Sequence, residues 1–354
     1  MPTTPLYPRR LVTTRLTLRA PQERDRPLWV RLHRDPALYR HAPHAIAPSD
    51  DAASAHFDEV LAHWAERGFG YHVVERTSEH AEPEQLGVGG LRSGGDTELN
   101  LYYRFGAAAQ GRGYAREAAR TWVATGVEHL PGTVVAVVKE HNLASVRTAL
   151  AAGLGRAGSR VEAGDPEGAP ASVLLRAPRV EVVRAEGFTR AAREDVLELW
   201  CRVTAAGGAV GFVPSASRRD HDEALLAHEE QMRSGLATAV LVRDPDSPGD
   251  PAVAALGWWV RQPVRLLAHR STAYRVMTDP DKRGRNLGRI LMAAMHRAAR
   301  ADDVEIATLS VRGGMGLEAF YERCGYLEAG RVVGGIRLGP GDDRDDITMA
   351  RRLL

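Results

Sequence analysis

The stretch Glu98–Val123, ELNLYYRFGAAAQGRGYAREAARTWV, makes three backbone demands in succession and constrains the chain more than any other. Leu99–Phe105 is rich in Leu, Tyr and Phe and suits a strand. Gln110-Gly111-Arg112-Gly113-Tyr114-Ala115 turns the chain with no Cβ at two positions. Ala115, Ala118, Ala119, Trp122, Val123, Gly126 and Val127 then recur at helical spacing. A helix that starts on such a loop offers free N–H groups with the positive end of its dipole behind them, which is a site for phosphate. A diphosphate-bearing ligand is the first expectation.

Glycine spacing chooses among phosphate loops. No Gly-Lys-Ser/Thr follows, which excludes a P-loop, and Arg116 stands where a dinucleotide fingerprint needs its third glycine. The frame that fits is Gln/Arg-x-x-Gly-x-Gly/Ala, in Gln110, Gly113 and Ala115. It resembles the acyl-CoA diphosphate loop of the GNAT N-acetyltransferase superfamily.

Composition bounds the rest. A chain of 354 residues suits two domains of moderate size, and 44% hydrophobic with 26% charged residues is globular in character. A net charge of +2 argues against nucleic acid as the main partner. Cys201 and Cys324 are too few for a disulfide framework or a cysteine metal site, Met1–Arg10 has no apolar core, and no run approaches the roughly 20 apolar residues of a membrane helix. A cytoplasmic location with no membrane partner is expected.

Along the chain, Leu11–Arg19 reads as a strand, Gln22–Leu38 and Asp50–Arg67 as helices, and Tyr71–Glu75 and Leu86–Ser93 as strands around the polar connection Thr77–Gln85. His33, His41, His44, His56 and His63 fall in the early segment; His41-x-x-His44 lacks an acidic or thiol partner at tight spacing, so solvated histidines rather than a metal site are expected. Thr133–Lys139 is a buried strand by its valines. Asn142-Leu143-Ala144-Ser145 then leads a short helix to Gly153. Asn142, Ser145 and Gly153-Leu154 resemble the second GNAT motif in the branch that includes ribosomal-protein alanine acetyltransferases. That resemblance implies Asn142 contacts the pantetheine arm and Ser145 serves the cofactor sulfur; helix capping is the competing reading for both. A hairpin, Arg160–Ala163 with Ser172–Arg176, is expected across GDPEGAP.

Ala177-Pro178 marks a boundary between domains 1–177 and 178–354, and the plan repeats. Val180–Ala185 is a strand, Arg190–Thr204 and His221–Ser234 are helices, and Thr238–Arg243 and Val253–Val260 are strands around DPDSPGDP. His221, Glu223, His228, Glu229 and Glu230 are expected on a solvated helix face. After the strand Ser271–Thr278, Arg283-Gly284-Arg285-Asn286-Leu287-Gly288 repeats the loop frame 173 positions on, with Asn286 in place of Gly113. Asn tolerates positive φ best among residues with a side chain, so the loop survives. Glu305–Val311 is a strand and Gly316–Gly325 a short helix carrying Phe320-Tyr321-Glu322-Arg323-Cys324-Gly325-Tyr326, which resembles the GNAT Ala-x-x-Phe-Tyr-x-x-x-Gly-Phe signature. There the resemblance implies that Tyr321 protonates the departing thiolate; a packed aromatic is the alternative. Aligned on Gly153 and Gly325, Asn142 faces Gly314 and Tyr321 faces Ala149, so the first half is better equipped for acyl-CoA and the second has the stronger acid.

The resemblance implies an α/β (α+β) fold of two consecutive GNAT-like domains, each a mixed, centrally splayed sheet flanked by helices. It also implies acetyl-CoA as donor, backbone contacts from Tyr103, Arg104 and Phe105 and from Val276, Met277 and Thr278, and transfer to a primary amine of a small molecule or peptide. Such chemistry removes a proton from an ammonium, polarises the thioester carbonyl and stabilises a thiolate. Many relatives carry a Glu near Asn100; here Glu98, one strand period earlier, is the base candidate, with a solvent-facing carboxylate the alternative and His269 a distant one. A non-catalytic acyl-CoA sensor or scaffold, and a nicotinamide oxidoreductase resting on Gly111–Gly113 alone, are the competing functions. The acidic run Asp342-Asp343-Arg344-Asp345-Asp346 is expected as a solvated hairpin turn. Acceptor, active half and oligomeric state stay open.

Overall fold

The computed structural model describes residues 7–77, 83–95, 97–162, 165–168, 170–247 and 251–354. Parts of the connections expected at 77–85, 164–170 and 244–251, the end of the strand expected at 160–163 and the first six residues lie outside that description. The chain divides into two compact units, Met1–Ala177 and Pro178–Leu354.

Unit 1 holds strands β1 (Arg10–Val12), β2 (Leu16–Arg19), β3 (Tyr71–Arg76), β4 (Gln85–Ser93), β5 (Glu98–Phe105), β6 (Thr133–Val138), β7 (Gly155–Arg160) and β8 (Ser172–Arg176) in one sheet, ordered β1-β2-β3-β4-β5-β6-β8-β7. Its helices are α1 (Arg26–Arg34), α2 (Asp50–Arg67), α3 (Tyr114–His129) and α4 (Leu143–Ala151). Leu91 pairs with Leu101 and meets Gly126 of α3, whereas Tyr102, one residue on, bonds His33 of α1. Side chains alternate across a strand, so α3 and α1 cover opposite faces. Trp122, Ala118, Ala119 and Val123 of α3 and Trp29 and Phe57 of α1 and α2 are fully buried there. Inside unit 1, Asp25 is buried but accepts two bonds from Arg19, one from the Gln22 N–H and one from Gln85, and Arg19 also holds Glu75. A buried carboxylate needs that degree of pairing.

Unit 2 has strands β9 (Val180–Val183), β10 (Ala237–Arg243), β11 (Val253–Arg261), β12 (Arg270–Thr278), β13 (Ile306–Arg312), β14 (Leu327–Gly339) and β15 (Asp342–Arg352), ordered β14-β15-β13-β12-β11-β10-β9. Helices α5 (Arg190–Ala205), α6 (Arg218–Arg233), α7 (Leu287–Ala301) and α8 (Glu318–Glu322) complete it. Trp259 donates to the Met295 carbonyl of α7, and its neighbour Trp258 packs on Trp200 and His228 of α5 and α6. Here too the helices cover both faces.

In both units the central parallel pair parts. β5 bonds β6 only through Glu98–Asn100 against Thr133–Val135, although the strands run on to Phe105 and Val138. β12 bonds β13 only through Arg270–Ala273 against Ile306–Leu309. The mixed, splayed sheets are those the resemblance implies.

Several local expectations are corrected. Leu11–Arg19 is a hairpin, β1 and β2, because the Leu16 carbonyl takes the Thr13 N–H and closes a turn. The helix over Gln22–Leu38 is cut to α1 with single 3-10 turns on either side, since Pro36 brings no N–H and Asp35 is extended, its carboxylate taking the Ala37 N–H. The strand expected at Arg160–Ala163 ends at Arg160 and starts five residues earlier, at Gly155. Asp342–Asp346 is no turn but the start of β15, where Asp343 and Asp345 pair with Arg337 and Arg331 of β14.

Gly89 shows how tightly β4 is enclosed. A Cβ there would stand 2.6 Å from the Tyr102 carbonyl and 2.7 Å from the Trp122 ring. Gly89→Ala is expected to cost unit 1 about 1–3 kcal/mol, read as a Tm lowered by several degrees in thermal denaturation followed by circular dichroism.

Candidate active site

The loop after β5 takes the shape its glycines allow. Gly111 and Gly113 have φ of 74° and 77°, the left-handed region closed to most side chains. Gly113 caps α3 without a side-chain hydrogen bond, which leaves the first-turn N–H groups open. The Gln110 amide turns back to donate to the Phe105 carbonyl at 3.1 Å and ties the loop to the strand end. Arg15, in the turn between β1 and β2, lies over the Tyr114 ring, donates to the Arg112 carbonyl at 3.0 Å and pairs with Glu117 at 2.7 Å. No sequence signal pointed to Arg15, whose partners lie about a hundred positions away.

The second loop copies the first. Gly284 and Asn286 have φ of 80° and 61°, and Asn286 stands at the N-cap of α7 without a side-chain capping hydrogen bond. Asn286 thus adopts the conformation that Gly113 adopts in unit 1. Arg285 is engaged by Asp246 through two bonds of 2.6 and 3.0 Å, while Arg283 is exposed. Leu287 is buried in the first turn of α7. Gly288 lies inside that helix, and a Cβ on it would approach Phe320 to 3.2 Å. Its role is close packing: it lets α8, and with it Tyr321, lie against the start of α7. Tyr321 is buried edge-on to Phe320, burial raises its pKa above the ordinary tyrosine value, and its hydroxyl makes no hydrogen bond among the described residues.

In unit 1 the parting of β5 from β6 opens a cavity of about 470 Å³ whose lining includes Tyr103, Arg104, Lys139, Asn142 and Ser145 and also His41, His44, Glu162 and Asp165. Asn142 is the N-cap of α4, its Oδ1 accepting the Ser145 N–H at 3.2 Å. Capping occupies only the oxygen, so its amide N–H₂ stays available to a ligand. The Ser145 carbonyl accepts from the Tyr103 hydroxyl at 3.2 Å. Burial raises the Tyr103 hydroxyl to about 12. Lys139 holds Asp165 at 2.6 Å and keeps that carboxyl below the usual range. His44 stands 3.6 Å from the same carboxylate. Burial, then the nearby His141, lowers the His41 pKa, so its imidazole is neutral at neutral pH.

Beside the cavity runs a polar chain. Arg104 stacks on Tyr39 and donates to the Leu38 carbonyl and the Tyr102 hydroxyl. Tyr102 meets His33 Nε2 at 2.9 Å, and His33 Nδ1 meets the Trp29 carbonyl at 2.8 Å. A carbonyl only accepts, so Nδ1 carries the proton and Nε2 receives the Tyr102 hydroxyl.

Other expectations fail on geometry. Glu98 sits at the closed end of the strand pair, held by Arg160 at 2.8 and 3.0 Å and by Arg176 at 3.2 Å; the Arg160 bonds push its pKa down. A carboxylate so clamped is a poor base. His269 precedes β12 at the end where that strand is still paired, away from Val276–Thr278. His221 and His228 are not solvated: His221 bonds Thr204 and the Ser217 carbonyl in the core, and His228 stacks on Trp258. Among the described residues no three His, Cys, Asp or Glu side chains converge as metal ligands.

Two domain models, each described as an acetyltransferase (GNAT) domain, match residues 15–154 and 264–338, more than half of the chain together. The chain belongs to the GNAT acetyltransferase family. Similar solved structures include an acetyltransferase from Agrobacterium tumefaciens, 25% identical over 48% of this chain and 94% of that one, TM-score 0.38. A ribosomal-protein-S18-alanine N-acetyltransferase from Escherichia coli is 18% identical over 49% and 94%, TM-score 0.36. A ribosomal-protein-alanine N-acetyltransferase from Brucella melitensis is 16% identical over 49% and 99%, TM-score 0.39. No curated protein matches. This GNAT protein is thus a tandem acetyltransferase, and the nicotinamide reading of Gly111–Gly113 has no support in either match. No helix among its described residues is long and apolar enough to cross a membrane.

His33 gives the site a pH signature. Burial lowers its pKa to about 3, below the unfolded imidazole value of about 6.5. The unfolded chain therefore binds the extra proton first, so this contribution is intact above about pH 6.5 and is lost as pH falls toward 3. NMR titration should show the His33 ring neutral down to pH 5, whereas a midpoint near 6.5 would refute the buried Tyr102–His33 bond.

Proposed function

We propose that the chain transfers an acetyl group from acetyl-CoA to a primary amine of a small molecule or peptide, in the cytoplasm, with unit 1 the better equipped of the two halves to hold the donor. The observation that carries this reading is the junction of three features in unit 1: an uncapped helix start on a left-handed glycine loop, a parted pair of strands beside it, and Asn142 with Ser145 on the wall of the gap. Cys201 and Cys324 being in no disulfide fits a reducing compartment.

The residues present fit the donor. The N–H groups of residues 111–115 and the helix start suit its diphosphate, with Arg15 and Arg112 supplying positive charge nearby. Acetyl-CoA supplies the activated acetyl thioester. Asn142 Nδ2 is free to hold an amide carbonyl of the pantetheine arm, and backbone N–H groups of Tyr103–Phe105, unpaired on the side where β6 has parted, can bind a developing oxyanion. Ser145 Oγ can give a proton or hydrogen bond to a thiolate, as Tyr321 Oη can in unit 2, where Val276–Thr278 and the loop 283–288 repeat the arrangement. His41, neutral and lining the cavity, replaces Glu98 as the group that accepts the amine proton. Holding both reactants in one cleft supplies much of the acceleration.

Purified full-length protein mixed with acetyl-CoA and a panel of primary amines should release free thiol with at least one acceptor; release with none would sink the proposal. His41→Ala should lower kcat by about 100-fold or more with acetyl-CoA affinity unchanged. Gly113→Val should weaken acetyl-CoA binding to unit 1 in calorimetry by about 10-fold or more, since a β-branched residue resists positive φ.

A further inference from the structure

Arg275 sits in β12 with φ of 51°, a left-handed conformation at a bulge where Arg275 and Val276 together oppose Gly257. A glycine or asparagine takes such a position with less strain. The bulge turns the Arg275 side chain onto the α5–α6 face, where its guanidinium lies 5.4 Å from the Trp200 ring centre and 5.8 Å from that of Phe212. Gly211 makes room for it: a Cβ there would overlap the guanidinium outright. That group is therefore seated in a niche shaped by an aromatic pair and a bare backbone.

What the niche lacks is an anion. Among the described residues no carboxylate pairs with Arg275, none of its N–H groups has a hydrogen-bond partner, and Nε is buried without one. The nearby histidines bring no negative charge: His228 is neutral, its pKa lowered to about 4 chiefly by burial, and His221 bonds Ser217 and Thr204. Ring contacts attract a cation but leave its donors unmet. Two other enclosed arginines of unit 2 have carboxylate partners: Arg243 is paired with Glu181 and Asp195, and Arg202 with Asp279. Desolvating a guanidinium without a counterion is costly, and such a cost persists where a ligand supplies the missing charge.

Arg275 also immediately precedes Val276–Thr278, the strand end at which β12 has left β13. We propose that Arg275 binds a carboxylate of the amine acceptor in unit 2, so that this half acts on amino-acid-like acceptors bearing both an amine and a carboxylate. The planar guanidinium can grip both carboxylate oxygens and fix the distance from the strand end to the amine. This inference rests on the acetyl-transfer reading for its amine and on Arg275 alone for its carboxylate.

The test uses the full chain with acetyl-CoA and the standard L-amino acids, each beside its α-carboxamide, reading binding by calorimetry and transfer by thiol release. At least one acid should bind about 10-fold or more tightly than its amide, the worth of a charge-assisted pair, and R275Q should bring that ratio near one while R275K retains part of it. Amides matching their acids across the panel, or a preference that survives in R275Q, would overturn the proposal. Transfer to amides without acid preference would overturn it and leave the acetyl-transfer reading standing; acid-selective binding without transfer would do the reverse. R275M in the ligand-free chain should hold or raise Tm, because it removes an unpartnered charge; a Tm lowered by several degrees would make Arg275 a packing residue and overturn its binding role.

Discussion

The structure depends on the failure of one backbone ladder. β5 and β6 start as a bonded parallel pair and stop bonding after Asn100, and β12 and β13 do so after Ala273. Within a sheet, unpaired N–H and C=O groups are normally costly, so a gap in the middle of one calls for a ligand or water to answer them. The gap in unit 1 is where the cavity, the capped start of α4 and the tip of β5 meet. Helices pack on both faces of the sheet, and the loop after β5 leads into the start of α3.

The sequence made the backbone legible where a residue type answers a conformational demand. Gly111, Gly113 and Gly284 mark left-handed positions, and Asn286 shows that the demand, not the glycine, is conserved between the two halves. Val-rich and alternating runs located most strands within a residue or two, and Ser49 and Gly68 bounded α2 as caps should. Where alternation continued through a tight turn, as at Thr13–Leu16, one strand was read for two, because period alone does not report where a chain reverses.

Side-chain chemistry was legible only in part. Asn142, Ser145 and Tyr321 stand out in the sequence by motif, and each lies at a parted strand pair or its loop. Glu98 failed as a base because its arginines come from β7 and β8, more than 60 positions away. His221 and His228 failed as surface residues because their partners, Thr204 and Trp258, lie on other elements. Arg15, His41 and Arg275 carry no local signature at all; their interest comes from contacts that only the folded chain creates. The two units have also diverged around a common frame: unit 1 keeps two glycines in its loop and a capping Asn142, while unit 2 accepts Asn286 and carries Tyr321 and the bulged Arg275.

A crystal of the full chain soaked with acetyl-CoA tests the central claim most directly, since it reports where the donor lies against the parted strands. The account predicts density for the diphosphate on the N–H groups of residues 111–115 and for the pantetheine arm between β5 and β6, beside Asn142. Donor density on any other surface of unit 1, with the gap between β5 and β6 empty, would contradict it.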